Sequence, residues 1–139
     1  IKPEGVNTAL LYFLLKQNTI PVFAPLTHAD GKMLNTNADT IASVLAVSLS
    51  KHFDVRLIFC FEKKGVLLDI NRHVSVIHHL PKSMYDELLP KKVFADGILP
   101  KLENAYAAIH AGVKEVLIGG AADLTKNTGR ETEGTLITL

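Results

Sequence analysis

Apolar residues along this chain form short blocks that alternate between the spacing of helices and the continuous runs of buried strands. The strongest helical block covers residues 6–16, and the clearest strand-like blocks cover residues 20–26, 55–61 and 116–118. Strands that alternate with helices along a chain are typical of a mainly parallel sheet with helices on both faces. The pattern therefore predicts an α/β fold, a three-layer αβα sandwich, as a single domain over residues 1–139.

Turn and capping residues place the remaining elements. Asp30-Gly31 is a hairpin turn signal, and Ser83 is a candidate N-cap for a short helix that Pro90 stops. Apolar positions repeat with helical spacing over residues 98–110. Residues 121–133 are rich in Gly, Thr, Asn and charge, so they are predicted to be mostly loop before a final strand.

Two asparagines and an aspartate stand between the strand predicted over residues 20–26 and the helix that follows. Asn37 is suited to cap this helix, and Asp39 falls in its first turn, where a negative charge favours the helix dipole. Capping explains one asparagine and the aspartate. It does not explain Asn35, which lies two residues outside the helix and is therefore a candidate binding residue.

Composition excludes several classes of function. The net charge is +1, and 47% of residues are hydrophobic, so neither a nucleic-acid surface nor an electrostatic membrane anchor is expected. No apolar run approaches the roughly 20 residues of a membrane-spanning helix. The one cysteine, Cys60, lies in an apolar strand and is predicted to be buried and inert. His78 and His79 lack a second ligand cluster, so no metal site is predicted. A cytoplasmic location is expected, because the single cysteine cannot form an internal disulfide.

Five short motifs carry a resemblance to a known family. In order they are residues 20–25, residues 35–39 (Asn-Thr-Asn-Ala-Asp), residues 65–67, residues 96–101 and Gly134-Thr135. Together they resemble the N-acetylglutamate kinase branch of the amino-acid kinase family, over the C-terminal half of that family's chain. The resemblance implies transfer of the γ-phosphoryl group of ATP, with Mg²⁺, to the side-chain carboxylate of N-acetylglutamate in arginine biosynthesis. N-succinylglutamate is an alternative substrate.

The resemblance assigns roles to four residues. Lys101 matches a lysine that stabilises the transferring phosphoryl group, and Asp39 matches an aspartate that holds catalytic lysines in position. Asn35 matches a substrate-binding asparagine, and Asn37 is a cap that can also contact substrate. Without the resemblance, Lys101 would be interpreted as a solvated lysine and Asp39 as a helix-start carboxylate.

The resemblance also implies two nucleotide-binding stretches. The first follows the strand over residues 55–61, and the second precedes the helix over residues 98–110. Phe61-Glu62 departs from the Thr-Asp usual in the family, which places the nucleotide geometry in question. Adjacent lysines in a loop are commonly only solvated, and a core role for the phenylalanine of the second stretch is equally consistent with the sequence. The residues concerned are Glu62, Lys63, Lys64, Gly65, Val66, Leu67, Val93, Phe94 and Ala95.

Motifs of the family's N-terminal half are not found in this sequence. These are a Lys-x-Gly-Gly phosphate loop, a glycine pair that holds the substrate and an arginine for its carboxylate. The chain is therefore expected to supply the nucleotide half of an enzyme that forms a homo-oligomer when complete, and to be inactive alone. Two alternatives are another amino-acid kinase and a non-catalytic nucleotide-binding or regulatory module.

Overall fold

A four-stranded mixed sheet forms the centre of the molecule. The computed structural model describes residues 5–72, 74–95, 97–129 and 132–139. The strands are β1 (Leu26–Ala29), β2 (Lys32–Asn35), β3 (Arg56–Phe61), β4 (His79–Pro81), β5 (Glu115–Gly120) and β6 (Thr135–Thr138). The sheet order is β3-β5-β6-β4, with parallel pairs β3–β5 and β4–β6 and an antiparallel pair β5–β6. A separate antiparallel hairpin consists of β1 and β2.

Helices cover both faces of this sheet, as the sequence predicts. The helices are α1 (Thr8–Lys16), α2 (Ala38–Leu49), α3 (Lys82–Leu88), α4 (Leu99–His110) and α5 (Leu124–Asn127). The two long helices α2 and α4 pack against each other and on the face that carries Phe59 and Ile118. Asn127 of α5 packs against Gly119, and residues 118 and 119 point to opposite faces of a strand.

The β1–β2 hairpin turns at the predicted Asp30-Gly31. Both residues have positive φ, 49° and 73°, which is the geometry of a tight hairpin turn and is easily adopted by glycine. The hairpin ends at Asn35, and Asn37 then begins α2 by accepting the Thr40 N–H on its side-chain oxygen at 3.1 Å. The hairpin therefore delivers the asparagine motif to the first turn of the helix.

The strand predicted over residues 20–26 is wrong. Residues 20–25 form no strand, and only Leu26 belongs to one, as the first residue of β1. A strand needs a neighbour that pairs its backbone, and among the described residues β3 bonds only to β5. The apolar side chains of this segment are consequently exposed rather than buried.

Three local predictions also need correction. The helix near Ser83 begins at Lys82 with Pro81 at its N-cap, so Ser83 lies inside the helix. The predicted loop contains a short 3₁₀ helix (Ala121–Asp123) and α5. Cys60 is exposed, because it points to the face of β3 opposite to the buried Phe59, away from the two long helices. No helix within the described residues is long and apolar enough to cross a membrane.

Candidate active site

A hydrogen-bonded ion pair joins the two predicted catalytic residues. Lys101 Nζ donates to Asp39 Oδ2 at 2.5 Å, across 62 positions of sequence. Both side chains are largely shielded, with exposed fractions of 16% and 27%. The structure therefore brings together a lysine and an aspartate that the sequence places on different helices.

Each partner is positioned by the first turn of its helix. The Asn37 cap fixes the start of α2, which places Asp39 in its first turn. Pro100 lies at the start of α4, where its missing N–H costs nothing, and the backbone N–H of Lys101 bonds to the carbonyl oxygen of Ile98 at 3.1 Å. The close packing of α2 on α4 then brings the two side chains into contact.

The electrostatics of this pair favour an anionic ligand. A cation in the first turn of α4 adds to the positive end of the helix dipole and is unfavourable unless a negative group is near. Asp39 supplies one such group. Lys101 Nζ also lies 5.7 Å from the centre of the Phe59 ring, so its position is fixed from a second side. A cation fixed in this way can interact with phosphate oxygens without further reorganisation.

The candidate substrate residues precede Asp39 closely in the sequence. Asn35 and Asn37 are both exposed, four and two residues before Asp39. Thr36 between them is held on both sides, because its N–H bonds to the Pro25 carbonyl oxygen at 2.9 Å and its hydroxyl lies 2.6 Å from the Thr27 hydroxyl. The asparagines therefore project from a backbone that is locally fixed.

The loop after β3 is held by a residue whose role sequence reasoning missed. The fully buried Thr135 accepts the Val66 N–H on its hydroxyl at 2.8 Å. A Cβ at Gly65 would lie 2.7 Å from the same hydroxyl, so only glycine fits there. The signal in the sequence is Gly134-Thr135, one of the five motifs of the resemblance, to which the resemblance assigns no function. Thr135 is thus a positioning residue for the candidate nucleotide loop.

Two cavities adjoin this loop. The smaller, about 50 Å³, brings both predicted nucleotide stretches together and also includes Ile98 at the start of α4. The larger, about 660 Å³, lies between the loop, Glu133 and three residues further along the chain, Val74, Val76 and His78. The volume of the larger cavity falls within the usual range of small-molecule sites, and that of the smaller does not. The residues shared by both cavities are Glu62, Lys63 and Leu67.

A cluster of two lysines and a glutamate lies at the rim of the larger cavity. Lys64 Nζ lies 3.7 Å from Glu133 Oε2, and Lys126 donates a hydrogen bond to the other oxygen of Glu133. The hydrogen bond from Lys126, reinforced by both lysine charges, lowers the pKa of Glu133 below its usual value. Lys64 is therefore engaged with a carboxylate at the rim of the cavity.

Phe94 belongs to the core. Its ring is buried and stacks on Tyr85 with 5.5 Å between the ring centres. Its neighbours Val93 and Ala95 line the smaller cavity. Asp96, part of the motif before α4, is outside the described residues.

The described residues contain no group of three or more side chains that could ligate a metal ion. His79 Nε2 instead lies 2.9 Å from the hydroxyl of Thr138. Mg²⁺ commonly enters such sites bound to nucleotide phosphates with few protein ligands. The site is compatible with that form of the ion, and Glu62 is the carboxylate within the loop of residues 62–67.

Comparisons with known proteins agree with this geometry. The model of the amino acid kinase family matches residues 2–120. An acetylglutamate kinase of Parabacteroides distasonis is 51% identical over 127 residues, covering 91% of this chain and 50% of the relative. The chain therefore spans about half the length of the curated relatives it matches.

Solved structures share the fold. The smu.665 protein of Streptococcus mutans is 33% identical with a TM-score of 0.75, covering 97% of this chain and 49% of that protein. An N-acetylglutamate synthase of Neisseria gonorrhoeae, solved with coenzyme A and L-arginine, is 25% identical with a TM-score of 0.80, covering 97% of this chain and 31% of that protein. The α/β fold predicted from the sequence is confirmed.

Proposed function

Because this chain belongs to the amino acid kinase family, we propose that it is the nucleotide-binding half of an acetylglutamate kinase. The complete enzyme would transfer the γ-phosphoryl group of ATP to the side-chain carboxylate of N-acetylglutamate. The observation that carries this proposal is the contact of 2.5 Å between Lys101 and Asp39 at the beginnings of α4 and α2. The similarity to acetylglutamate kinases over 91% of the chain supports the choice of substrate.

Lys101 is proposed to stabilise the moving phosphoryl group. In phosphoryl transfer the protein contributes mainly positioning and positive charge around the transferring oxygens. Asp39 acts through Lys101, by holding its ammonium group in place. No general base is required, because the acceptor carboxylate is already ionised at neutral pH.

The remaining predicted residues are proposed to complete the site. Asn35 and Asn37 are proposed to bind the acylated substrate, since both are exposed just before Asp39. The loop of residues 62–67, held by Thr135, is proposed to bind the nucleotide. Mg²⁺, carried on the nucleotide, would neutralise phosphate charge.

The chain supplies one half of this site. Of the catalytic lysines that the resemblance implies, this chain supplies Lys101. The substrate cradle expected for the family is not found in this sequence. We therefore expect the isolated chain to bind nucleotide without turning over substrate. Assembly of the complete enzyme as a homo-oligomer, its cytoplasmic location and its place in arginine biosynthesis stay predictions.

A second candidate is a non-catalytic regulatory module. The similarity to the Neisseria gonorrhoeae N-acetylglutamate synthase is the observation behind this candidate, because a protein named for a different reaction carries the same fold over 31% of its length, so the fold alone does not require kinase chemistry. A regulatory module does not need Lys101 to touch a phosphoryl group, so substitution of this lysine discriminates between the two candidates.

The proposal is tested in a chimera in which this chain replaces the matching half of the Parabacteroides distasonis enzyme. We expect Lys101→Ala to lower kcat by about 10²–10³, because it removes a preorganised charge. The control is Lys114→Ala, which breaks an exposed ion pair with Asp54, at 2.6 Å, and is expected to leave kcat unchanged.

Equal kcat values for the two variants would contradict the assignment of Lys101. The same assay, run with N-acetylglutamate and N-succinylglutamate, gives the acyl preference of the chimera as a ratio of kcat/KM values, to which this chain contributes Asn35 and Asn37 and the relative contributes the substrate cradle. Phosphorylation of neither acylglutamate by an unmodified, folded chimera would overturn the proposed function.

A further inference from the structure

Two adjacent lysines of the candidate nucleotide loop have different surroundings. Lys63 lines both cavities beside the loop, whereas Lys64 lines the larger of the two and not the smaller. The side chain of Lys64 is 65% exposed, and its Nζ lies 3.7 Å from Glu133 Oε2. This distance is an ionic contact and is too long for a hydrogen bond. The ammonium group of Lys64 is therefore directed towards Glu133 but held there only loosely.

Glu133, in contrast, belongs to a backbone that is fixed against the sheet. Its N–H donates to the side-chain oxygen of the fully buried Asn127 at 3.1 Å. The next residue, Gly134, packs so closely on β5 that an added Cβ would lie 2.5 Å from the carbonyl oxygen of Ile118. The carboxylate of Glu133 therefore extends from a fixed point, while Lys64 carries its charge on a long and flexible side chain.

Lys126 balances the charge of Glu133 independently of Lys64. It donates a hydrogen bond to Oε1 of Glu133, whereas Lys64 lies nearest to Oε2. The hydrogen bond from Lys126, together with both lysine charges, lowers the pKa of Glu133, so this carboxyl group is ionised at neutral pH. If Lys64 turns away, Glu133 keeps a partner. Lys64 can therefore leave at a small cost, since exposed ion pairs are weak.

An anionic ligand bound at this loop would compete with Glu133 for Lys64. Phosphate oxygens accept charge-assisted hydrogen bonds from an ammonium group, whereas Glu133 at 3.7 Å offers Lys64 only a longer-range attraction. We infer that Glu133 lowers the affinity of the loop for nucleotide by retaining Lys64 at the rim of the larger cavity. Glu133 is thus a positioning residue that acts through Lys64. The inference rests on the proposed function for the identity of the ligand as a nucleotide.

The inferred role of Glu133 is separate from that of the Lys101–Asp39 pair. Lys101 is held by Asp39 at 2.5 Å and is proposed to act on the moving phosphoryl group. Lys64 and Glu133 would instead affect binding of the nucleotide, including the ADP that remains after transfer. Binding that is the same in the ground state and the transition state does not change kcat. The effect of Glu133 should therefore be found in the affinity for ADP.

Titration of the chimera described above with ADP and Mg²⁺ tests the inference without requiring turnover. Glu133→Gln removes the negative charge but keeps a side-chain oxygen that can accept the hydrogen bond from Lys126. We expect this variant to lower the Kd for ADP about two- to fivefold, the range that corresponds to an exposed ion pair. When Lys64→Met is also present, we expect Glu133→Gln to leave the Kd unchanged. The effect should shrink at about 0.5 M salt, because salt screens exposed charges.

Asp54→Asn is the matched control. It makes the same change from carboxylate to amide and releases Lys114, whose Nζ lies 2.6 Å from Asp54. These two residues precede the parallel strands β3 and β5, whereas the nucleotide loop follows β3. A strand of this length separates its two ends by roughly 20 Å, which is well beyond the screening length of about 10 Å. We expect this variant to leave the Kd for ADP unchanged.

Tightening of equal size with and without Lys64 would overturn the inference, because the carboxylate would then act on the nucleotide directly. An unchanged Kd for Glu133→Gln in an active chimera, or equal tightening by Asp54→Asn, would also overturn it. A chimera that binds no ADP would contradict both the inference and the proposed function. An inactive chimera in which Glu133→Gln tightens ADP binding only when Lys64 is present would contradict the proposed function and leave the role of Glu133 supported.

Discussion

Of two apolar stretches that the sequence predicts as strands, one is a buried strand in the structure and the other forms no strand and is exposed. β5 pairs with β3 on one side and β6 on the other, and its central residues Val116, Leu117 and Ile118 are almost completely buried. Residues 20–25 are as apolar but form no strand and remain in water. The difference lies in the neighbours and not in the residues. An apolar run predicts that a segment will be buried, whereas the strand itself forms only where a second backbone is available.

The largest expected effect compares the same residue type in the two stretches. Ile118→Ala should destabilise the chain by about 2–5 kcal/mol, because it leaves a cavity in a fully buried layer. Ile20→Ala should change the free energy of unfolding by less than about 0.5 kcal/mol, since this side chain is already hydrated. Urea unfolding of both variants measures the difference. A comparable loss from Ile20→Ala would mean that the segment is buried in solution.

A smaller effect is expected where the packed region supports the nucleotide loop. Thr135→Val keeps the side-chain shape but leaves the buried Val66 N–H without its acceptor, at a cost of about 1–3 kcal/mol. Thr128→Val is the control, because this threonine is exposed and its hydroxyl donates to the nearby carbonyl oxygen of Thr125 at 2.8 Å. We expect the control to stay within about 0.5 kcal/mol of the original chain. Equal unfolding energies for the two variants would show that Thr135 does not hold the loop.

Local signals in the sequence were sufficient for much of the fold. Helical spacing and the Asn37 cap predicted α2, and the turn residues Asp30-Gly31 predicted the β1–β2 hairpin. These features depend on residues close together in the chain. The resemblance added the expectation that Asp39 and Lys101 act together, and the structure places them in contact.

Features that depend on distant neighbours could not be predicted in the same way. The apolar strand predicts a buried Cys60, yet exposure is decided by which face of the sheet the helices cover, and Cys60 lies on the face opposite to the buried Phe59. The hydrogen bond from Val66 to Thr135 joins residues 69 positions apart, and no local pattern reports it. The catalytic and binding roles themselves stay predictions until they are measured.

Calorimetric titration of the isolated 139-residue chain with ATP and Mg²⁺, alongside an assay for phosphorylated N-acetylglutamate, tests the central claim most directly. We expect weak nucleotide binding that Lys101→Ala weakens further and Lys114→Ala leaves unchanged, with no phosphorylated product. Loss of one preorganised charge costs about 10²–10³ in kcat, and this chain lacks the substrate cradle as well. Turnover by the isolated chain, or nucleotide binding that does not depend on Lys101, would contradict the claim that it supplies one half of the site.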